Sequence, residues 1–165
     1  MITLRAMRAE ELSDYRNLFI TEYAQDLSSN SSYNAEQAVT HASHIFDSYL
    51  PEGVNSTGDY LYCIEHKDYT EHNNPLVGYL WFGLGANDSA AFIKDFYVLP
   101  QCQRKGYGSA CIKELEKLLI AQGIFEIKLR VAADNPQAKR LYEQMAFAVT
   151  GFNMSKSLQP TDKPV

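Results

Sequence analysis

The N-terminal third of the chain carries apolar side chains at helical spacing between short polar stretches. Residues 2–5 predict an opening strand, and residues 9–26 predict an amphipathic helix with apolar positions three and four apart. A polar run then interrupts this pattern. Asn34 followed by Gln37 predicts a capping box at the start of a second helix, which Pro51 ends.

From residue 59 the pattern changes to runs that are typical of strands. Residues 60–64 and 76–84 are rich in aromatic and branched side chains, and a polar turn at 72–75 between them predicts a hairpin. After a second turn at 85–88, residues 90–99 form a third run that is apolar on both faces. We therefore expect this third strand to lie at the centre of the sheet.

The remaining pattern alternates between helix and strand. An apolar stripe predicts a helix that ends at Gly123, and residues 125–131 predict the next strand. Asn135 followed by Pro136 predicts the start of another helix, and residues 147–158 predict a closing strand. The order predicts an α+β (mixed α/β) fold with a central, mostly antiparallel sheet flanked by helices.

Composition indicates one globular unit. The chain has 165 residues, 45% of them hydrophobic and 21% charged, and shows no internal repeat or linker. We expect a single domain at residues 1–158 and a flexible tail at 159–165. The formal net charge of -5 argues against a nucleic-acid partner, which would select a basic face, and it favours a cationic substrate.

The sequence also predicts a cytoplasmic protein without a membrane partner or a metal. Its N-terminus lacks the apolar core of a signal peptide, and no stretch approaches the ~20 apolar residues of a membrane span. The three cysteines form no CxxC pair, which favours reduced thiols. His41 and His44 have metal-ligand spacing, but no third ligand accompanies them.

The candidate chemistry lies in residues 103–108, a polar loop with two glycines between a strand and a helix. Glycines let the backbone approach a ligand closely, and the free N–H groups at a helix start favour phosphate. The loop is not a Walker A motif, because Ser109-Ala110 follows Gly108, and Cys111 replaces the third glycine of a dinucleotide fingerprint. A tight strand-to-helix connection is the structural alternative.

Gln103-x-x-Gly106-x-Gly108 resembles the Q/R-x-x-G-x-G/A signature of the GNAT superfamily of N-acetyltransferases. The resemblance extends over residues 76–158. It includes the strand end Tyr97-Val98-Leu99-Pro100 and, beyond the loop, Asn135, Ala138, Leu141-Tyr142-Glu143 and Phe147. It implies a GNAT-like fold and an enzyme that transfers an acetyl group from acetyl-CoA to a primary amine, directly within a ternary complex.

The resemblance also implies where the cosubstrate binds. The pyrophosphate is expected on the backbone amides of the loop, and the pantetheine arm on the edge of a strand that splays from its neighbour, as in strand addition. Asn135 has two interpretations, since a helix N-cap explains it equally well. The residues expected to bind acetyl-CoA are Tyr97, Val98, Gln103, Arg104, Lys105, Gly106, Tyr107, Gly108, Ser109 and Asn135.

Two residues are candidates for proton transfer. Tyr142 matches the tyrosine that similar enzymes place near the CoA sulfur as general acid, although its apolar stripe also fits simple packing. Relatives often carry an acid where this chain has Lys94, so we expect Asp95 to act as base, with Glu22 in reserve. Strand alternation predicts that Lys94 and Asp95 point to opposite faces, and a structural salt bridge is the alternative role for Asp95.

The acceptor and the assembly stay open. Acidic and aromatic side chains favour a cationic amine, either a small molecule or a peptide. Cys102 lies beside the loop without an adjacent base, which disfavours a covalent thiol intermediate. A non-catalytic module that binds or senses acyl-CoA is the alternative function. Members of the resembled family often pair through edge strands, so a homodimer is one expectation.

Overall fold

A computed structural model describes residues 1–68, 74–85 and 89–158. The tail expected at 159–165 lies outside the described residues, as do parts of the turns predicted at 72–75 and 85–88. The strands of the described residues are β1 Ile2–Ala6, β2 Asp59–His66, β3 Leu76–Leu84, β4 Ala90–Val98 and β5 Glu126–Leu129. These five strands form one sheet in the order β1-β2-β3-β4-β5. Among them only the β4–β5 pair is parallel, which confirms a mixed fold with a mostly antiparallel sheet.

Four helices accompany the sheet: α1 Leu12–Asn30, α2 Ala35–Tyr49, α3 Tyr107–Ala121 and α4 Pro136–Gln144. The predicted capping box opens α2, with Gln37 N donating to Asn34 Oδ1 at 2.8 Å and Asn34 N donating to Gln37 Oε1 at 3.1 Å. Helix α1 continues past the predicted end at residue 26 because Leu27 still packs against the core. No helix within the described ranges is long and apolar enough to cross a membrane.

Two hydrophobic cores lie on opposite faces of the sheet. Helices α1 and α2 cover one face with an aromatic cluster that includes Tyr15, Phe19, Phe46, Tyr79 and Trp81. Helix α3 covers the other face through Cys111, Ile112, Leu115 and Leu119, which pack against Ile64, Leu80 and Phe82. Strand β3 contributes side chains to both cores, as expected for the middle of a three-layer fold.

Strands β4 and β5 pair over only part of their length. Ala90 to Ile93 pair with Glu126 to Leu129, after which β5 ends while β4 continues to Val98. The two strands therefore leave an open edge of β4 beside residues 94–98. A register shift between Trp81 and Phe82 marks a β-bulge, since Trp81 pairs with Asp95 and Phe82 pairs with Ile93.

The closing strand predicted at residues 147–158 is wrong for the chain described. Residues 148–158, hereafter the C-terminal arm, form no strand, and each of them is exposed. No backbone hydrogen bond links residues 148–156 to another described part of the chain. The apolar spacing that predicted a strand is real, but a strand also needs a neighbouring edge, and residues 148–156 pair with no strand in the part of the chain that the structure describes.

Candidate active site

The loop at residues 103–108 connects β4 to the N-terminus of α3. The Gln103 side chain donates from Nε2 to the Val98 carbonyl at 3.0 Å, which ties the loop to the end of β4. Arg104 (φ 60°) and Gly106 (φ 81°) both adopt left-handed backbone, and Gly106 is the N-cap of α3. The first-turn N–H groups, which have no partner within a helix, therefore face the end of this loop.

The two glycines serve different purposes. A side chain at Gly106 would enter open space, so its left-handed backbone is the reason for glycine there. A Cβ at Gly108 would lie 3.4 Å from Leu141 Cδ2, so this glycine lets α4 approach α3 closely. Tyr107 turns its ring toward His66, with ring centroids 5.0 Å apart, and anchors α3 to β2. Its contribution to cosubstrate binding stays a prediction.

The prediction that Lys94 and Asp95 point to opposite faces is wrong. The β-bulge places Lys94 between the paired residues Ile93 and Asp95, so two consecutive side chains emerge on the face covered by α1 and α2. Asp95 contacts Tyr15 of α1, and Lys94 lies over the ring of Tyr49 of α2. The bulge thus brings two charged residues to the same side of β4.

Asp95 is the polar centre of this face. The Tyr15 hydroxyl donates to Asp95 Oδ2 at 2.5 Å. Burial raises the pKa of Asp95 from 3.8 to about 6, against the hydrogen bonds from Tyr15 and the Phe96 backbone, which lower it, while the charge of Glu22 raises it further. The residue as a whole is half-buried, but its carboxyl lies deep enough for desolvation to be the largest influence on its pKa.

Lys94 has a separate acidic partner. Its Nζ donates to Asp59 Oδ1 at 2.7 Å, and the indole Nε1 of Trp81 donates to the same oxygen at 2.8 Å. The ammonium also lies 3.9 Å from the centroid of the Tyr49 ring. A Cβ at Gly83 would meet Lys94 Cε at 3.0 Å, so this glycine lets the lysine stem cross β3. Lys94 therefore forms its salt bridge with Asp59 and not with Asp95.

Tyr142 lies on α4, near enough to Asp95 for the charge of that carboxyl to affect its pKa. Its ring packs edge-on against Phe147, with centroids 5.5 Å apart, and it adjoins the core beneath α3. Burial raises the pKa of Tyr142 to about 12, and the charges of Asp95 and Cys111 raise it too. The hydroxyl is therefore protonated at neutral pH. Asn135 caps α4 by accepting from Ala138 N at 3.1 Å, which leaves its cosubstrate role a prediction.

The other residues that the sequence singled out do not contribute to this site. Cys102 is fully buried, with 0% exposure, so its thiol cannot meet an acyl group without local opening. The imidazole of His41 stacks on Tyr33, on the outside of α2. Among residues 1–68, 74–85 and 89–158, no cluster of three His, Cys, Asp or Glu side chains has metal-binding geometry.

Two partner residues escaped the sequence analysis. The sequence indicates Tyr15 as an apolar position of the first helix and as one of several aromatic residues that suit a cationic amine, and it indicates Asp59 as the start of a strand. Tyr15 contacts Asp95, and Asp59 contacts Lys94, because the bulge in β4 places both charged side chains on one face. The bulge depends on pairing with β3, so the sequence around it carries no local signal. Charged neighbours inside an otherwise apolar strand were the one available indication of a site.

Comparison with known proteins agrees with this geometry. The sequence pattern of the acetyltransferase (GNAT) family matches residues 13–147. An uncharacterized N-acetyltransferase of Bacillus subtilis, YycN, is 28% identical over 159 residues, which cover 95% of this chain and 99% of YycN. A second from the same organism, YdgE, is 24% identical over 158 residues, covering 94% of this chain and 98% of YdgE.

Solved structures show the same fold. The crystal structure of YycN from Bacillus subtilis superposes with a TM-score of 0.88 at 28% identity, covering 97% of this chain and 100% of YycN. The PaiA N-acetyltransferase of Thermoplasma acidophilum, solved with coenzyme A, gives a TM-score of 0.68 at 16% identity and 93% coverage of each chain. This chain therefore belongs to the acetyltransferase (GNAT) family and is an N-acetyltransferase.

Proposed function

We propose that the protein transfers the acetyl group of acetyl-CoA to a primary amine, directly within a ternary complex. The observation that carries this proposal is the splay between β4 and β5. Asp95, an acid of raised pKa, lies in the unpaired part of β4, and Tyr142, a protonated phenol, lies near enough for the charge of Asp95 to raise its pKa. An acyl transfer needs a group that accepts a proton and a group that donates one.

The residues around the loop suit the cosubstrate. The start of α3 offers backbone N–H groups for a pyrophosphate, and the exposed side chains of Arg104 and Lys105 add positive charge. On the edge of β4 that β5 leaves uncovered, Val98 would offer its N–H to the amides of a pantetheine arm, whereas its carbonyl accepts from Gln103. The backbone groups of Tyr97 face β3 in this register. Acetyl-CoA would supply the thioester whose acetyl group moves to the acceptor.

Asp95 is the proposed base. A carboxylate with a pKa of about 6 is mostly ionised at pH 7 and is a stronger base than an ordinary aspartate. The Tyr15 hydroxyl holds Oδ2, and the carboxylate also accepts from the Phe96 backbone, so the proton from the amine would reach a lone pair of this carboxylate that neither donor occupies, directly or through one water. Glu22 stays the reserve candidate, since it lies near enough to influence the pKa of both Asp95 and Tyr97.

Tyr142 is the proposed acid. Its hydroxyl holds its proton at neutral pH and has no hydrogen-bond partner among the described residues. It would donate that proton to the thiolate that leaves the acyl group. Asn135, the N-cap residue about two turns before Tyr142, would orient the pantetheine arm while it caps α4.

A cationic acceptor fits the electrostatics of this face. Glu22 lies near enough to Asp95 for its charge to raise the pKa of that carboxyl, so two acidic side chains lie close together on this face. The positive charge of Lys94 is paired with Asp59. One structural relative, the spermidine N-acetyltransferase of Vibrio cholerae, was solved with CoA and spermine, but at 19% identity it shares only the fold. Polyamines are therefore a class to test, beside amino acids and peptide N-termini.

The test is release of free thiol from acetyl-CoA with a panel of primary amines. Each acceptor is matched by its trimethylated counterpart, which keeps the positive charge and cannot be acetylated. We expect turnover with a primary amine, none with its counterpart, and a loss of kcat on the order of 100-fold in Tyr142→Phe with a similar KM for acetyl-CoA. Tight CoA binding without turnover of any amine would refute the proposal and favour a sensor of acyl-CoA.

A further inference from the structure

The ammonium group of Lys94 lies between a carboxylate and two aromatic rings. Its Nζ donates to Asp59 Oδ1 at 2.7 Å. The same atom lies 3.9 Å from the centroid of the Tyr49 ring and 5.6 Å from that of the Trp81 ring. A carboxylate beside aromatic faces is an arrangement that also recognises the ammonium group of a ligand. Tyr49, Asp59 and Trp81 are hereafter the cation cage.

Contacts that do not involve Lys94 hold the cation cage in place. Trp81 Nε1 donates to Asp59 Oδ1 at 2.8 Å. The indole also packs against the rings of Phe46 and Tyr49, with centroids 5.6 and 6.0 Å apart. Trp81 is 1% exposed, and the side chain of Asp59 is 9% exposed. Loss of the lysine side chain would therefore leave a vacant cation site with its walls in position.

The cation cage lies on the same face of the sheet as the proposed base. Lys94 and Asp95 are consecutive residues, and the bulge directs both side chains toward α1 and α2. Trp81 connects the two positions, because its backbone pairs with Asp95 while its indole reaches Asp59. Tyr49 is 48% exposed, so solvent reaches this wall of the cage. An acceptor whose amine meets Asp95 therefore has the cage beside it.

We propose that Lys94 fills a cation subsite of the acceptor site with its own ammonium group, and so excludes acceptors that carry a second cationic group at that position. The link between the cage and the acceptor rests on the proposed acetyl transfer, whereas the cage itself does not. A second ammonium would have to displace Lys94 from Asp59 and break a partly buried ion pair. The protein therefore selects monoamines over diamines and polyamines.

Chemical rescue of Lys94→Ala tests the cation cage without any turnover. This substitution removes the side chain beyond Cβ, and n-propylammonium matches the missing atoms. We expect propylammonium at about ten times its Kd to raise the Tm of Lys94→Ala by about 3–5 °C. The uncharged n-propanol should not do so, and Tyr49→Leu in the Lys94→Ala background should reduce the rise. Lys117→Ala is the matched control, because Lys117 also pairs with a carboxylate, Glu114, but is 72% exposed.

Acceptor selectivity tests the role of Lys94 in the proposed reaction. Linear diamines of increasing length are each compared with the monoamine of the same length, in the unaltered protein and in Lys94→Ala. In the unaltered protein, no diamine should exceed its monoamine in kcat/KM, apart from the statistical gain of having two amines. In Lys94→Ala, the ratio of diamine to monoamine should rise by on the order of tenfold for at least one length, because the vacant cage binds the second ammonium.

Three results would overturn the proposal. The first is a Tm of Lys94→Ala that propylammonium raises no more than n-propanol does, which would show that the ion pair serves the fold alone. The second is an unchanged diamine-to-monoamine ratio in Lys94→Ala. The third is a preference of the unaltered protein for diamines, and this measurement needs no variant to fold. If neither protein acetylates any amine, the proposed acetyl transfer fails, and the rescue experiment still decides whether the cage binds a cation.

Discussion

At the scale of single residues, the site depends on one extra residue in a strand. Lys94 and Asp95 are adjacent in the chain but have separate partners, Asp59 and Tyr15. The sequence identified both charges as exceptions within an apolar strand, and it assigned them to opposite faces because alternation is the rule for a regular strand. The β-bulge breaks that rule, and it arises from pairing with β3, which no local pattern reveals.

The hydroxyl of Tyr15 should set the working pH of Asp95. Tyr15→Phe removes the donor that stabilises the carboxylate, so the pKa of Asp95 should rise and the acidic limb of the kcat/KM profile should move to higher pH. We expect a loss of activity on the order of tenfold near pH 6 that shrinks toward pH 8.

Tyr79→Phe is the control for this experiment. Tyr79 lies in the same aromatic cluster, 4.9 Å from the Tyr15 ring between centroids, and makes no hydrogen bond to Asp95. Loss of the Tyr79 hydroxyl should leave the acidic limb of the kcat/KM profile at the same pH. An unchanged profile in Tyr15→Phe would exclude Asp95 as the base.

The ion pair between Lys94 and Asp59 should stabilise the fold more than a surface pair does. Their side chains are 21% and 9% exposed, so Asp59→Ala leaves a half-buried ammonium and an indole N–H without their acceptor. We expect a loss of about 3 kcal/mol in the free energy of unfolding. Lys94→Met should retain N-acetyltransferase activity if Asp95, and not residue 94, takes the proton.

A double-mutant cycle in urea measures this coupling, with the Arg16–Asp47 pair as its control. Those side chains are 35% and 59% exposed, so their coupling should stay below about 1 kcal/mol. Equal coupling energies in the two cycles would show that burial does not strengthen the Lys94 pair.

At the scale of elements, the glycine loop combines backbone conformation with the start of a helix. The sequence predicted this loop and the helix after it, because glycine positions and apolar stripes are local signals. The reason for each glycine required the structure. Gly106 needs its left-handed backbone, whereas Gly108 needs space for Leu141, which is 33 residues further along the chain.

Gly106→Ala and Gly123→Ala form a matched pair. Both glycines have positive φ, 81° and 77°, and both would place a Cβ in open space. Each substitution should therefore cost about 1 kcal/mol of stability, from the same backbone strain. Only Gly106→Ala should weaken CoA binding in calorimetry, because only Gly106 precedes α3. Equal CoA affinities in the two variants would remove the loop from the cosubstrate site.

At the scale of the whole molecule, the three-layer arrangement follows from patterns that the sequence displays, whereas the β5 end of the sheet does not. Apolar stripes on α1, α2 and α3 predict helices that pack on a sheet, and the structure confirms the mixed fold. The extent of β5 and the course of the C-terminal arm depend on which edge meets which segment. Such long-range pairing is absent from local periodicity, so a strand was predicted where the chain forms none.

Because the pKa of Asp95 is raised, its ionised form should lower the stability of the folded protein near neutral pH. Its pKa is 3.8 ordinarily and about 6 in the folded protein, so between these values the folded state binds more protons than the unfolded state. The contribution of Asp95 to stability is thus fully present below pH 3.8 and is lost as pH rises through 6. Asp95→Asn removes this dependence and still offers Tyr15 an acceptor oxygen.

We therefore expect Asp95→Asn to gain stability relative to the unaltered protein as pH rises from 4 to 7, by on the order of 1–3 kcal/mol, while its acetyltransferase activity falls. Urea unfolding of both proteins at several pH values measures the difference, in which the titration of all other groups cancels. Glu11 shows the opposite pH dependence, because its hydrogen bond from Arg5 lowers its pKa from 4.5 to about 2. Ionised Glu11 therefore stabilises the fold above pH 4.5, and the Glu11→Gln variant should be less stable than the unaltered protein until the pH falls below that value. If the difference in the free energy of unfolding between Asp95→Asn and the unaltered protein is constant from pH 4 to 7, the pKa of Asp95 is not raised in the folded protein. Its buried position then does not make it a stronger base.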